Sequence, residues 1–305
     1  MNQLTRNAYA KINLGLDVLR KRPDGYHELA MVMQTVDICD ELTFVVRDEP
    51  GIELTVEWSM DGWTKEALEE LPKPGESQPV PADRSNLVWR AAEMLMSEFS
   101  VQKGVSIHLV KKIPVAAGMA GGSSDCAATL WGINELFGLG LTGEELQARG
   151  VKLGADVPYC VLGGTALAEG IGEILTPLTP MPKCSLVVAK PAVGISTPFV
   201  FKQLRLEALR EHPDIYGMCE AIKTGDLDGV VERFGNVLET AAIPHYPIVG
   251  ELKEALAELG AKGVLMSGSG PTVFAVFASE EEAKKAAREL TEKALAAQIF
   301  VTRPV

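Results

Sequence analysis

The stretch that most constrains this chain is Pro114-Val115-Ala116-Ala117-Gly118-Met119-Ala120-Gly121-Gly122-Ser123-Ser124-Asp125. It lies between a β-prone run, 105–110, and an alanine-rich apolar pattern from Ala127 that reads as a helix. Glycines let a backbone turn tightly and approach a ligand without Cβ clashes. A helix N-terminus behind them presents unpaired N–H groups to an anion. Strand, glycine loop, Ser-Ser-Asp and helix together predict a phosphate cradle. Neither of two familiar cradles fits: no Lys-Ser or Lys-Thr follows the glycines, and their spacing does not match G-x-G-x-x-G. Taken alone, the stretch also fits a capped glycine turn. The rest of the chain has to decide.

At 305 residues there is room for two domains, and 47% hydrophobic content supports substantial cores. A formal charge of -12 disfavours a broad nucleic-acid footprint but not a small positive pocket for a nucleotide. Cysteines at 39, 126, 160, 184 and 219 match neither a metal knuckle nor a C-x-x-C site. They read as free buried thiols of a reducing compartment. The opening Met1–Arg6 lacks a secretory hydrophobic core, and no long uncharged apolar span follows. A cytoplasmic location with no membrane partner is expected.

The run Thr5–Val18 reads as a strand in which alternation puts Lys11, Asn13 and Gly15 on one side, at a solvent edge or facing a polar site. Pro23-Asp24-Gly25 marks a turn, and Tyr26 and His27 after it suit a heterocyclic base as well as simple packing. Residues 32–36 and 41–46 read as two strands, 51–58 as a third, 64–71 as a short helix and 72–81 as a proline-rich loop. Asp83 or Ser85 is expected to cap a helix through Phe99, and Thr142 with Glu145 fits a capping box. Asp156, between a glycine turn and Pro158, is either a cap or a functional carboxylate. A domain boundary falls between 165 and 184. Beyond it, 185–189 is β-prone, and Lys190–Lys202 is a shaped loop in which Ser196 or Thr197 caps the next segment. Residues 226–240, 247–259 and 280–297 read as helices, Gly263–Phe277 as a glycine turn between strands, and 299–302 as a closing strand.

Three separated motifs, in order along the chain, resemble those of the GHMP small-molecule kinase superfamily. They are Ala10-Lys11-Ile12-Asn13-Leu14, Pro114 through Asp125, and Met266-Ser267-Gly268-Ser269-Gly270-Pro271-Thr272. Arg22–Leu29, Asp83–Val88 and Leu153–Tyr159 are similar to the branch whose acceptor is a cytidine-diphosphate-linked methylerythritol. The resemblance covers nearly everything except residues 57–80. Position 120 is alanine where many relatives have glycine, a methyl that fits if φ is not positive there.

The resemblance implies an α+β, two-domain fold. A mixed α/β domain like domain 2 of ribosomal protein S5 would span 1–168, with ATP binding and catalysis. A ferredoxin-like α/β domain would span 169–305. The implied reaction moves the ATP γ-phosphoryl group to the acceptor's 2-hydroxyl, in the non-mevalonate route to isoprenoid precursors. Mg²⁺ is expected with ATP, its protein ligands unassigned, and the enzyme is a monomer or homodimer. Alternatives are a mevalonate, homoserine or sugar kinase of the same superfamily, and a nucleotide-binding protein of this fold without turnover.

Residue by residue, the resemblance makes Asp156 the base that takes the hydroxyl proton and Lys11 its partner, orienting the alcohol or the moving phosphoryl group. Gly118, Met119, Ala120, Gly121, Gly122, Ser123 and Ser124 surround the ATP phosphates, flanked by Pro114, Ala116 and Ala117. Asn86 and Lys111 are placed for nucleotide contacts, with Lys112 a close competitor. Tyr26 and His27 correspond to the cytosine-recognition pair, with Phe201 stacking on the base's other side. Asn13 and Thr197 suit the polar linker or ribose, and Lys202 the rim. Gly268, Ser269 and Gly270 close the site from the second domain.

Overall fold

The computed structural model describes residues 2–69 and 80–305. The proline-rich loop expected at 72–81, and the end of the helix expected at 64–71, fall largely outside them.

The chain opens with two long strands, β1 (Gln3–Lys21) and β2 (His27–Arg47), joined by the Pro23-Asp24-Gly25 turn. The two strands expected at 32–36 and 41–46 are therefore one. Register explains the break in pattern: Tyr9 pairs with Cys39 and Lys11 with Thr35, so residues 36–38 of β2 face Ala10 alone. A bulge of this kind bends a strand and re-aims its side chains without ending it.

Then come β3 (Ile52–Trp58), α1 (Lys65–Glu69), α2 (Leu87–Glu98), β4 (Gly104–Lys111), α3 (Gly121–Leu136), α4 (Gly143–Gly150), α5 (Val157–Leu162), β5 (Thr165–Gly170) and β6 (Ile174–Pro177). The remainder holds β7 (Ser185–Lys190), α6 (Thr197–Gln203), α7 (Ile215–Thr224), α8 (Leu227–Glu232), β8 (Gly235–Asn236), α9 (Glu239–Ala242), α10 (Pro247–Glu258), β9 (Gly263–Met266), β10 (Val273–Phe277), α11 (Glu280–Glu292) and β11 (Gln298–Thr302). Among the described residues, a mixed sheet runs β3-β4-β2-β1-β8, with β5 paired to β2 and β6 to β5. Strand β5 crosses residues 168 and 169, where the two domains were expected to divide. The second sheet, β11-β7-β10-β9, is antiparallel throughout, with α10 and α11 packed on it as a ferredoxin-like layer.

Helices α2 and α3 cover one face of the first sheet, burying Val88, Leu95 and Leu130 with Phe44, Ile107 and Leu109. On its other face Ile12, Leu14 and Val32 share a core with Leu186, Val188 and Phe274 of the second sheet. Truncating a buried phenylalanine such as Phe44 in such a core costs about 3–5 kcal/mol. Because β1 is covered on both sides, residues 10–18 are buried without alternation. That removes the solvent-edge reading of Lys11 and Asn13. They face an internal polar site.

Three local expectations change. Helix α2 is capped by Asn86, whose Oδ1 accepts from the Val88 N–H at 2.9 Å; Asp83 instead accepts from the Ser85 N–H and hydroxyl. The single helix expected over 226–240 is broken into α8, β8 and α9. Asn236 has left the helical path to donate to the Met266 and Gly268 carbonyls at 2.8 and 2.7 Å. Side-chain bonds to distant backbone compete with helix for asparagine. The last helix also stops earlier than expected, at Glu292.

Candidate active site

The glycine loop links β4 to α3, and its conformation is set by its contacts. Gly118 has φ +70°, and a Cβ there would lie 2.2 Å from the Ser267 carbonyl oxygen. Ser267 Oγ donates to the Gly118 carbonyl at 3.0 Å, so the second and third motifs interlock through backbone. The Lys11 N–H donates to the Met119 carbonyl at 3.1 Å, which fixes the loop to β1. Ala120 is at φ 57°, ψ 28°, a left-handed position, contrary to the condition under which its methyl fits freely. The strain of such a conformation is about 1–2 kcal/mol for a residue with a Cβ.

Below the loop is a buried ionic cluster. Lys111 Nζ bridges Asp40 and Asp125, 2.7 Å from the Asp125 Oδ2, and Asp40 Oδ1 also accepts from the Lys112 and Ile113 N–H groups at 2.5 and 2.8 Å. Burial by itself lowers the Lys111 pKa, but the two carboxylates outweigh it and hold the ammonium above its ordinary value. Lys111 borders the cavity, yet two of its three donors are committed to this cluster. Its competitor Lys112 pairs with Asp61 at 3.0 Å instead.

The loop forms one wall of a cavity of ≈ 1210 Å³ that reaches from Asn86 to Lys202. Lys11 and Asp156 lie on its floor. Lys11 Nζ donates to Asn13 Oδ1 at 2.7 Å and stands 3.8 Å from Asp156 Oδ2. Asp156 occupies the N-cap position of α5 but makes no side-chain cap bond there. The cap reading of this residue therefore falls, and its carboxylate faces Lys11 and the cavity instead. Lys11 is almost wholly buried, while about a third of the Asp156 side chain is open to the cavity (35%).

At the far end Tyr26 and His27 line the cavity together with Phe201 from α6. The His27 and Phe201 rings stack on each other, centroids 5.0 Å apart and 26° between planes. The two rings leave no gap between them for a third ring. Burial, and secondarily Lys21, hold the His27 pKa below 6.5, so the ring is neutral at neutral pH with one donor and one acceptor. Thr197 shares a hydrogen bond with Ser269 at 2.7 Å, joining α6 to the third motif.

Most of the sequence-derived residues line this one cavity: Lys11, Asn13, Tyr26, His27, Asn86, Lys111, Pro114, Ala116 through Ser123, Asp156, Thr197, Phe201, Lys202, Gly268 and Ser269. Two do not. Ser124 is turned behind the loop, its hydroxyl donating to the Tyr9 carbonyl at 2.5 Å. Gly270 lies outside the lining, its N–H donating to the Ser267 carbonyl. Asn86 borders the cavity while capping α2 and donating to the Pro81 carbonyl at 2.7 Å. Sequence reasoning missed Asn236 and Asp40. A polar residue within the apolar run Phe234–Leu238 was the available signal for Asn236; Asp40, beside Asp37 and Glu41, carried none. The cysteines are free, but only Cys126 is buried, and burial raises its thiol pKa far above the ordinary value.

Nucleotide-sized cavity, glycine cradle and Lys–Asp pair together define a small-molecule kinase. Residues 86–164 match the GHMP kinases N terminal domain and residues 218–296 the GHMP kinases C terminal domain. A 4-diphosphocytidyl-2-C-methyl-D-erythritol kinase of Lachnoclostridium phytofermentans is 45% identical over 99% of this chain and 98% of its own, and one of Geobacter metallireducens is 46% identical over 95% of each. A crystal structure of 4-(cytidine 5'-diphospho)-2C-methyl-D-erythritol kinase superposes with TM-score 0.78 at 32% identity, covering 99% of both chains. The chain belongs to the 4-diphosphocytidyl-2-C-methyl-D-erythritol kinase family of GHMP kinases.

Proposed function

We propose that the protein transfers the γ-phosphoryl group of ATP to the 2-hydroxyl of 4-diphosphocytidyl-2-C-methyl-D-erythritol, in the non-mevalonate pathway. The observation that carries this reading is the position of Lys11 and Asp156 between the glycine loop and the Tyr26–His27–Phe201 corner, within one cavity. The acceptor's cytosine docks at that corner, its diphosphate runs past Asn13, Thr197 and Lys202, and its hydroxyl reaches Asp156.

Asp156 takes the hydroxyl proton as the oxygen attacks the γ-phosphorus, and the bond to the β-phosphate oxygen breaks to release ADP. Lys11 stays protonated and orients the attacking oxygen. Since an alcohol is a weak nucleophile, in-line placement supplies much of the rate, and cradle N–H groups offset the phosphate charge.

Magnesium fits as a companion of the nucleotide rather than a resident ion. Among the described residues no group of three or more His, Cys, Asp or Glu forms a metal cage. Phosphate and water oxygens would make most of its coordination, and it would neutralise charge on the transferring phosphates. We place the enzyme in the cytoplasm as a monomer or homodimer, with no nucleic-acid or membrane partner. Among the described residues no helix is long and apolar enough to cross a membrane.

The test is an ATP-dependent product assay over the cytidine-linked alcohol, mevalonate, homoserine and a sugar, with phosphate position read by NMR. Phosphate on the 2-hydroxyl of the cytidine substrate is the expected result. Turnover of another alcohol alone, or of none, overturns it.

A further inference from the structure

Lys111 and Asp125 bracket the phosphate loop, and the Lys111 ammonium ties its start to its end. Asp40 binds the ammonium of Lys111 and the N–H groups of Lys112 and Ile113 where the loop begins. Asp125, in the first turn of α3 where the loop ends, reaches the same ammonium. All three side chains are at most 4% exposed. Two carboxylates and one ammonium would leave a net negative charge in a dry site, which is costly.

The hydrogen bonds show where that charge is relieved. Both Asp40 oxygens have donors, as an ionised carboxylate needs. Asp125 Oδ2 has the ammonium, but no N–H or hydroxyl donor reaches the buried Asp125 Oδ1. A bare carboxylate oxygen is costly there, whereas a carboxylic acid can place its proton toward the neighbouring carboxylate.

We propose that the cluster holds one proton on Asp125, and that this neutral acid fastens the end of the phosphate loop to its start, making Asp125 a positioning residue for nucleotide binding. Burial raises the Asp125 pKa well above the usual carboxylate range; Lys111 opposes the rise and Asp40 reinforces it. The other ionisable groups around this layer are Arg90 of α2, the Cys126 thiol of α3, and Cys160 of α5 with Lys11 of β1 behind it. None supplies a donor to Asp125 Oδ1. With the proton lost at alkaline pH, Asp40 and Asp125 repel and the loop loosens.

The role in nucleotide binding rests on the kinase reading; the protonation state does not. The experiment reads both, on the full-length protein. Infrared spectra with isotope-labelled aspartate should show a protonated carboxylic acid at neutral pH that disappears in Asp125→Asn. ATP affinity, by calorimetry across neutral to alkaline pH, should weaken about tenfold per pH unit once the proton leaves wild type. Asp125→Asn, which imitates a neutral acid, should lack that alkaline limb, while Asp125→Ala binds ATP weakly at every pH. Absence of the infrared band, or its persistence in Asp125→Asn, overturns the protonation. An identical alkaline limb in Asp125→Asn, or failure of that variant to fold, overturns the positioning role. A band present with no ATP binding at all would count against the kinase reading alone.

Discussion

Ser267 and Gly118, 149 positions apart, meet backbone to side chain: Ser267 Oγ donates to the Gly118 carbonyl at 3.0 Å. This bond pins the phosphate loop of the first sheet's domain to the glycine turn that comes after β9. The same closeness leaves no room for a side chain at 118.

Gly118→Ala is therefore expected to cost about 2–4 kcal/mol, from a left-handed backbone and a Cβ against the Ser267 carbonyl. Thermal unfolding checks the loss of stability. ATP affinity should fall with it, because the loop has to retreat from the position that frames the phosphates.

Asp156→Asn should lower kcat by about 10²–10⁴-fold, the range for removing a general base. KM for ATP should change little, because the carboxylate caps no helix and binds no part of the loop. Steady-state kinetics on a variant with wild-type circular dichroism makes the comparison. Near-normal turnover would remove Asp156 from the base role.

Ala120→Gly should stabilise the protein by about 0.5–1 kcal/mol. It relieves a left-handed alanine, partly offset by the greater freedom of glycine in the unfolded chain. A rise in Tm is the readout, and an unchanged or lower Tm would show that the methyl's packing outweighs its strain.

His27 gives a pH dependence of definite sign. Its folded pKa lies below 6.5, so the ring stays neutral as the pH falls to about 6.5 and takes up a proton only below that. Its stabilising contribution is complete above the unfolded value and is lost as the pH falls from there to the folded one. The KM for the cytidine acceptor should accordingly be flat from about pH 8 to 6.5 and rise below. In His27→Ala it should be several-fold higher throughout and lack that acid-side rise. An unchanged KM in the variant would remove His27 from base recognition.

Much of the fold was legible because its signals are local. The capping box at Thr142 and Glu145, the all-apolar β10 and the glycine loop each arise from residues adjacent in sequence. The misreadings have a common origin in distant partners. Strand β2 looked broken because its bulge against Ala10 is a property of the pair. Residues 226–240 looked like one helix because the Met266 and Gly268 carbonyls that draw Asn236 away lie far along the chain. Ser124 looked like a phosphate ligand until the Tyr9 carbonyl claimed its hydroxyl.

By itself the sequence determined the chemical vocabulary: a glycine loop before a helix, a lysine and an aspartate in separate motifs, and an aromatic–histidine pair after a tight turn. Residue type and local spacing suffice for that, since backbone freedom, charge and ring chemistry belong to individual side chains. Only the tertiary structure decided which of these groups lie together. Lys11 and Asp156 come within 3.8 Å because β1 is buried between two layers and α5 packs against it. Ala120 is held left-handed, and Lys111 is drawn beneath the loop, by contacts from β1, β2 and the turn after β9. Distances between remote residues are set by packing, and packing is a property of the whole chain.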